Sequence, residues 1–413
     1  MIASQYTMNN GFVKSDYLIF TPDDVDLSFS PLRKNLDKKT YVLGAFNPAL
    51  CRLPSGNLMM MVRVAEALSD AVHEDKAHCI RWEKDGYTTD AWPAAEVNMN
   101  DPRSFKINAY KFPVLGLTSL SWLLPVELNE DGSAIQHIHY DKIISPHLTS
   151  QEYGIEDPRI SFIDGRYYMT TCCTSSERHS TMLYVSEDGL NYSCLGIVLD
   201  HQNKDMLLFE GKINNKYYAL TRPLGECYFA ASPISAYHPG AAIHLASSPD
   251  LLHWKPADAP FLRGRRSSLF NVKIGGGTPP VLTADGWLML YHGVENSGNV
   301  GIYRTFWALL DKDDPLKILH LADTIPVMEA NAALTENMRH QIYLDNVVFT
   351  TGIAEHGEDY IIASGELDLA CRITRIPKNY FTLPSSLRGG TTPSLREGTT
   401  SSLRGGTTKQ SPL

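Results

Sequence analysis

One unit recurs along this chain at a period of roughly 50 residues: a glycine turn, an aromatic-rich strand, a second strand, then a Ser-Pro or Glu-Asp turn leading to a strand with an aromatic. Ile160 to Val198 carries it as DGRYYMTTCCT and MLYVSEDGLNYSCLG, and Lys212 to Leu262 as INNKYYALTRP and IHLASSPDLLHWKPADAPFL. Pro279 to about Met328 repeats it with TADGWLMLYHGV and YRTFWALLDKDDPLKIL, and a fourth copy, NVVFTTGIAEHGEDYIIASGELDLACRITRI, begins near Asn346. With the less regular FNPALCRLPSGNLMMMVRVAEA region this makes five units. Sustained helical periodicity is almost absent, so the chain reads as all-β. Five similar units of about four strands fit a five-bladed β-propeller over residues 41–380. The alternative is one or two β-sandwiches, which do not repeat one turn signature at constant spacing.

The ends lie outside the repeat. Residues 1–40 are polar and irregular and are expected to wrap the outside of the propeller. Residues 384–413 hold SSLRGGTTPSLREGTTSSLRGGTT, a Gly/Ser/Thr repeat with almost nothing to bury, expected to be disordered.

A formal charge of −9 argues against nucleic-acid or anionic-membrane partners, which need a positive face to displace counterions. The first 20 residues lack the order of a signal peptide and no apolar run is long enough to span a membrane, so the expected location is cytoplasmic, or periplasmic if a leader has been removed. The seven cysteines have no CxxC spacing, and neither a disulfide framework nor a zinc site is indicated. Oligomeric state is open.

A propeller binds ligands where its blades converge, so polar residues that interrupt strands are the candidates. Glu156-Asp157-Pro158-Arg159 puts two acids and an arginine before a strand, with Pro158 expected to hold Asp157 extended. That suits an acid catalyst, or equally a capped turn with an ion pair. Asn203-Lys204-Asp205 and Glu210-Gly211 bracket an apolar strand, and Glu210 is a candidate base or simply an exposed strand end. Arg222 ends an aromatic strand, Lys273 precedes Gly275-Gly276-Gly277, and His292 closes another strand; each could hold an anion or a sugar hydroxyl, or be structural. Asn47 and Arg63 stand on the first unit. A serine-hydrolase elbow and paired-histidine metal spacing are both absent.

Taken in order, FNPAL, RVAEA, GIEDPRI, NKDMLLFEGKI with YYALTRP, SPDLLHW, KIGGGTPPVLTADGWLMLYHGV and DNVVFTTG resemble glycoside hydrolase family 130, the mannoside phosphorylases and β-mannosidases. The segments cover about residues 40 to 377. The resemblance implies that Asp157 donates a proton to the departing glycosidic oxygen, often through a mannose hydroxyl. It implies that Asn47, Arg63 and Asp345 lie near the mannose, and that Arg222, Lys273 and His292 fall on segments that hold phosphate in the phosphorylases. The substrate is then a mannoside oligosaccharide, with no cofactor, and with inorganic phosphate as co-substrate if the enzyme is a phosphorylase.

Two departures favour water over phosphate as the attacking group. Gln202-Asn203 stands where phosphorylases carry Arg-Asn, and Phe209-Glu210-Gly211-Lys212 where they read LFPEK. Losing a guanidinium weakens phosphate binding, and a second carboxylate can activate water. The expectation is an inverting β-mannosidase acting on β-1,2-mannosides, with Asp157 as acid and Glu210 as base, Glu366 being a rival base. A phosphorylase releasing mannose 1-phosphate is the alternative, and a non-catalytic carbohydrate-binding propeller a third.

Overall fold

A computed structural model describes residues 11–384, except 85, 109–113, 226–231, 238–239, 241 and 299. The repeat tail lies outside the described residues. Among those described there is no α-helix, only strands and short 3-10 turns.

Each recurring unit is one antiparallel sheet. Sheet I is built from Thr40–Arg52, Leu58–Leu68, Ser119–Leu128 and Ile135–Ile138, and sheet II from Ile155–Ile163, Arg166–Thr174, His179–Ser186 and Ser193–Ile197. Sheet III comprises Asn203–Leu208, Tyr217–Pro223, His244–Ser248 and Lys255–Pro256; sheet IV, Lys273–Gly276, Val281–Leu282, Trp287–Glu295, Ile302–Leu310 and Ile318–Ala322. Sheet V contains Val348–His356, Asp359–Glu366 and Ala370–Pro377, and its fourth strand is Ser15–Phe20 from the other end of the chain. The first 40 residues therefore supply a structural strand rather than only an irregular wrap. Arg372 fixes that strand with two bonds to Asp16, at 2.7 and 2.8 Å.

Neighbouring sheets share apolar clusters. Leu50, Met60 and Trp122 of sheet I meet Ile361 and Ile373 of sheet V, and Met59 and Met61 of sheet I meet Ile160 and Met169 of sheet II. Leu183 of sheet II meets Leu208, and Leu207 of sheet III meets Met289 and Phe306 of sheet IV. Sheets covered on both faces explain why the strands read as nearly continuous apolar runs. The leading strands of sheets V, I, II and III touch in succession, III meets that of IV, and IV returns to V through Trp287–Glu295.

One excursion breaks the pattern. Between the second and third strands of sheet I, the chain forms two three-stranded sheets: Val72–His73, Lys76–Glu83 and Gly86–Pro93, then Val97–Asp101, Ser104–Ile107 and Val114–Leu117.

Candidate active site

The leading strands of sheets I, II and III share a bulge. Pairing jumps from Phe46–Arg63 to Ala49–Met61 in sheet I, from Glu156–Cys172 to Arg159–Thr170 in sheet II, and from Lys204–Arg222 to Leu207–Leu220 in sheet III. In each case two residues oppose one, which bends the strand and re-aims its side chains. The first bulge residues, Asn47, Asp157 and Asp205, have φ of 49°, 49° and 53°. Asn and Asp tolerate this left-handed region better than other side-chain-bearing residues. Pro158 thus does not hold Asp157 extended; the bulge overrides the local preference, and Arg159 Nη1 donates to the turned carbonyl of Asp157 at 2.9 Å.

The bulges open onto a cavity of about 450 Å³ lined by Asn47, Arg63, Glu156, Asp157, Lys204, Arg222, Lys273 and His292, eight of the residues singled out from sequence. Asp157 Oδ1 accepts from Asn47 Nδ2 and Arg63 Nη1, both at 2.8 Å. Arg63 Nη2 and Lys204 Nζ donate to the two oxygens of Glu156 at 2.9 and 3.0 Å. Burial opposes charge on both acids, yet Arg63 and Lys204 hold both below the usual carboxylate range, Asp157 well below it. Gly365 seats Asn47, because a Cβ there would collide with its Oδ1.

A cationic wall stands beside this pair. Arg222 spends only Nε on a protein partner, Asp205 Oδ2 at 2.6 Å, and its other guanidinium nitrogens have no hydrogen-bond partner among the described residues. Lys273 lies 4.8 Å over the Tyr303 ring and makes no ion pair among the described residues. Burial and the neighbouring Arg222 lower its pKa to about 8. His292 is 1% exposed, and burial brings its pKa down to about 3, so its ring is neutral.

Five sequence candidates lie elsewhere. Arg159 and Asp205 sit behind the cavity wall, where Arg159 also donates to the Gly277 carbonyl at 2.7 Å. Asn203, fully buried, braces sheet III by accepting from Arg222 N–H at 2.9 Å. Asp345 is exposed and borders an adjoining depression with Asp101 and Asn346, because the chain turns it outward after buried Leu344. Glu210 is exposed beyond the far end of its strand and accepts from Phe162 N–H at 3.2 Å. Six residues beyond Lys204 at about 3.3 Å rise each, it stands roughly 20 Å from the cavity side of sheet III, too far to activate water beside Asp157. The rival Glu366 is fully buried and bonded to Arg372 Nη1 at 2.8 Å, outside the cavity.

Sequence reading missed other lining residues, notably Arg103, His179, Tyr343 and Asp368. Arg103 Nη1 donates to Asp368 Oδ2 at 3.1 Å. The glycine run is a packing device: a Cβ on Gly276 would strike Leu207, and one on Gly275 would lie 2.6 Å from His292 Nε2 and 2.7 Å from Asp205 Oδ2. Among the described residues no three His, Cys, Asp or Glu side chains are grouped as metal ligands.

A family model described as β-1,4-mannooligosaccharide phosphorylase matches residues 119–381, beginning just after the two small sheets. The β-1,2-mannobiose phosphorylase of Listeria innocua is 30% identical over 362 residues, 85% of this chain and 91% of its own. A 1,2-β-oligomannan phosphorylase from a Thermoanaerobacter species is 31% identical over 58% of this chain and 74% of its own. The solved structure of the Listeria enzyme with β-1,2-mannobiose superposes with a TM-score of 0.73 at 26% identity, covering 90% of this chain and 98% of that one. These relatives are phosphorylases, which overturns the expectation of hydrolysis. Both departures behind that expectation also lose their force: Glu210 is remote, and the cavity keeps Lys204, Arg222 and Lys273 without an arginine at position 202.

Proposed function

Because this chain belongs to glycoside hydrolase family 130, we propose that it is an inverting β-mannoside phosphorylase, acting on β-1,2-linked mannosides, built as a five-bladed propeller. The β-1,2 linkage follows the Listeria and Thermoanaerobacter relatives, and the five sheets with their cyclic contacts supply the blades.

The observation that carries phosphorolysis is Lys273, a largely buried ammonium that, among the described residues, has no carboxylate partner and stands beside an Arg222 whose terminal nitrogens are uncommitted. An enclosed charge without a counter-ion is costly. A phosphate dianion supplies the missing charge and accepts from both groups.

In this reading phosphate sits against Lys204, Arg222 and Lys273, and mannose against Asn47 and Arg63. A phosphate oxygen bonds to C1 as the C1 bond to the glycosidic oxygen breaks, and Asp157 supplies the proton to that oxygen, directly or through a mannose hydroxyl. The products are α-mannose 1-phosphate and the shortened mannoside. Asp157 rests ionised, so its proton affinity must rise in the loaded site. Phosphate offsets the cations that depress it and the sugar displaces water, and both changes act in that direction.

The reverse reaction tests the assignment. Given α-mannose 1-phosphate and mannose, the enzyme should release phosphate and form a disaccharide, whereas no synthesis from the α anomer, with synthesis from the β anomer, would contradict inversion.

A further inference from the structure

We infer that Asp205 is a positioning residue of the phosphate site: a buried carboxylate, off the cavity wall, that anchors Arg222, offsets its charge beside Lys273 and so sets how firmly the site holds a dianion. The inference rests on the phosphorolytic reading.

The Asp205 side chain is 1% exposed and reaches its place through the left-handed bulge. Its Oδ2 binds Arg222 Nε at 2.6 Å, which turns the free edge of the guanidinium toward the cavity that Arg222 lines. The other oxygen, Oδ1, is buried without a hydrogen-bond partner among the described residues, 3.7 Å from Arg159 Nη2. His292 Nε2 lies 3.8 Å from Oδ2. The carboxylate packs against Gly275, which shares a strand face with Lys273 two residues earlier, so the ammonium and the carboxylate belong to one polar layer.

The titratable groups around this layer come from the neighbouring sheets: Arg159 and Asp157 from sheet II, Lys204 and Arg222 from sheet III, Lys273, His292 and Tyr303 from sheet IV, and Asp368 from the turn between Asp359–Glu366 and Ala370–Pro377 of sheet V. Asp205 favours the charged form of Lys273, against burial and the repulsion of Arg222. Without it, Arg222 loses its anchor and the negative charge that offsets it beside Lys273, and Lys273 must give up its proton at lower pH.

The test is calorimetric titration of the full chain with sulfate, which stays doubly charged across the pH range, and with mannose. Wild-type sulfate affinity should fall as pH rises through about 8, where Lys273 loses its charge. In Asp205→Asn that fall should begin roughly one pH unit lower, so that affinity lies about threefold below wild type between the two midpoints and about tenfold below it above both, with mannose affinity unchanged. Gly275→Ala, whose methyl would displace the carboxylate, should move the fall in the same direction and serves if the first variant does not fold.

A fall that stays in place in the folded variants overturns the inference, as does parallel loss of sulfate and mannose binding at every pH, which marks a merely structural role. Wild-type protein that binds mannose but no sulfate would instead overturn the phosphorolytic reading.

Discussion

Arg63 Nη1 donates to Asp157 Oδ1 at 2.8 Å, so the proposed proton donor rests as an anion bound to a cation. The ion pair keeps the carboxyl ionised, without the proton that a general acid must donate, until substrates arrive. Rate constants for the free and loaded enzyme should therefore respond differently to pH. The free-enzyme quantity, kcat/KM, should fall as pH rises throughout the neutral range, because the protonated fraction of Asp157 keeps falling above a lowered pKa. The basic limb of kcat should lie at higher pH. Identical limbs in the two profiles would mean that loading does not raise the proton affinity of Asp157.

Asp157→Asn keeps the size of the side chain and removes its titratable proton. Phosphorolysis should drop by about 10²- to 10⁴-fold with sugar binding retained, measured by steady-state kinetics and mannose titration. A variant within tenfold of wild type removes Asp157 from the chemistry.

Lys273→Met keeps the aliphatic stem and deletes the unpaired charge. The KM for phosphate should rise roughly 10- to 100-fold, the worth of one charged hydrogen bond, while mannoside affinity holds. The wild-type loss of anion affinity near pH 8 should vanish in this variant, because the titrating group is gone. Persistence of that limb would assign it to another residue.

The candidate site was only partly legible in the sequence, for reasons that differ by residue. The repeated turn was legible because its chemistry is local: Asp188 accepts from the N–H groups of Leu190 and Asn191, and Asp250 from those of Leu252 and His253 in the same way. Asp157 and Arg222 stood out because charge interrupts an apolar strand. Glu156 and Asp157 are another matter. Neighbours on a regular strand face opposite sides, so only the bulge lets both line one cavity. The same displacement puts Asp205 behind the wall while Lys204 reaches the cavity. Glu210 looked attractive because a sequence has no ends in space, and counting residues along the strand excludes it. Arg103 lies on the excursion that breaks the repeat, and no period points to it.

Glu210→Gln is accordingly expected to change kcat and each KM less than twofold, since its one bond among the described residues, to Phe162 N–H, survives in the amide oxygen. A loss of a hundredfold would return this residue to the mechanism.

Stability should depend on the junction between the chain's two ends. Arg372 is fully buried and bridges Asp16 and Glu366, so Arg372→Met leaves two enclosed carboxylates without a counter-charge. The loss should be about 3–5 kcal/mol by chemical denaturation, the cost of breaking a buried pair by removing one partner. A change under 1 kcal/mol would show that Ser15–Phe20 is not held by this network.

The central claim is that phosphate, and not water, is the attacking group. Incubation of the enzyme with β-1,2-mannobiose at rising phosphate concentration, with both products quantified, tests it most directly. Cleavage should be negligible without phosphate, saturate as phosphate is added, and yield one mannose 1-phosphate for each mannose released. Two free mannoses per cleavage, at a rate indifferent to phosphate, would contradict the account.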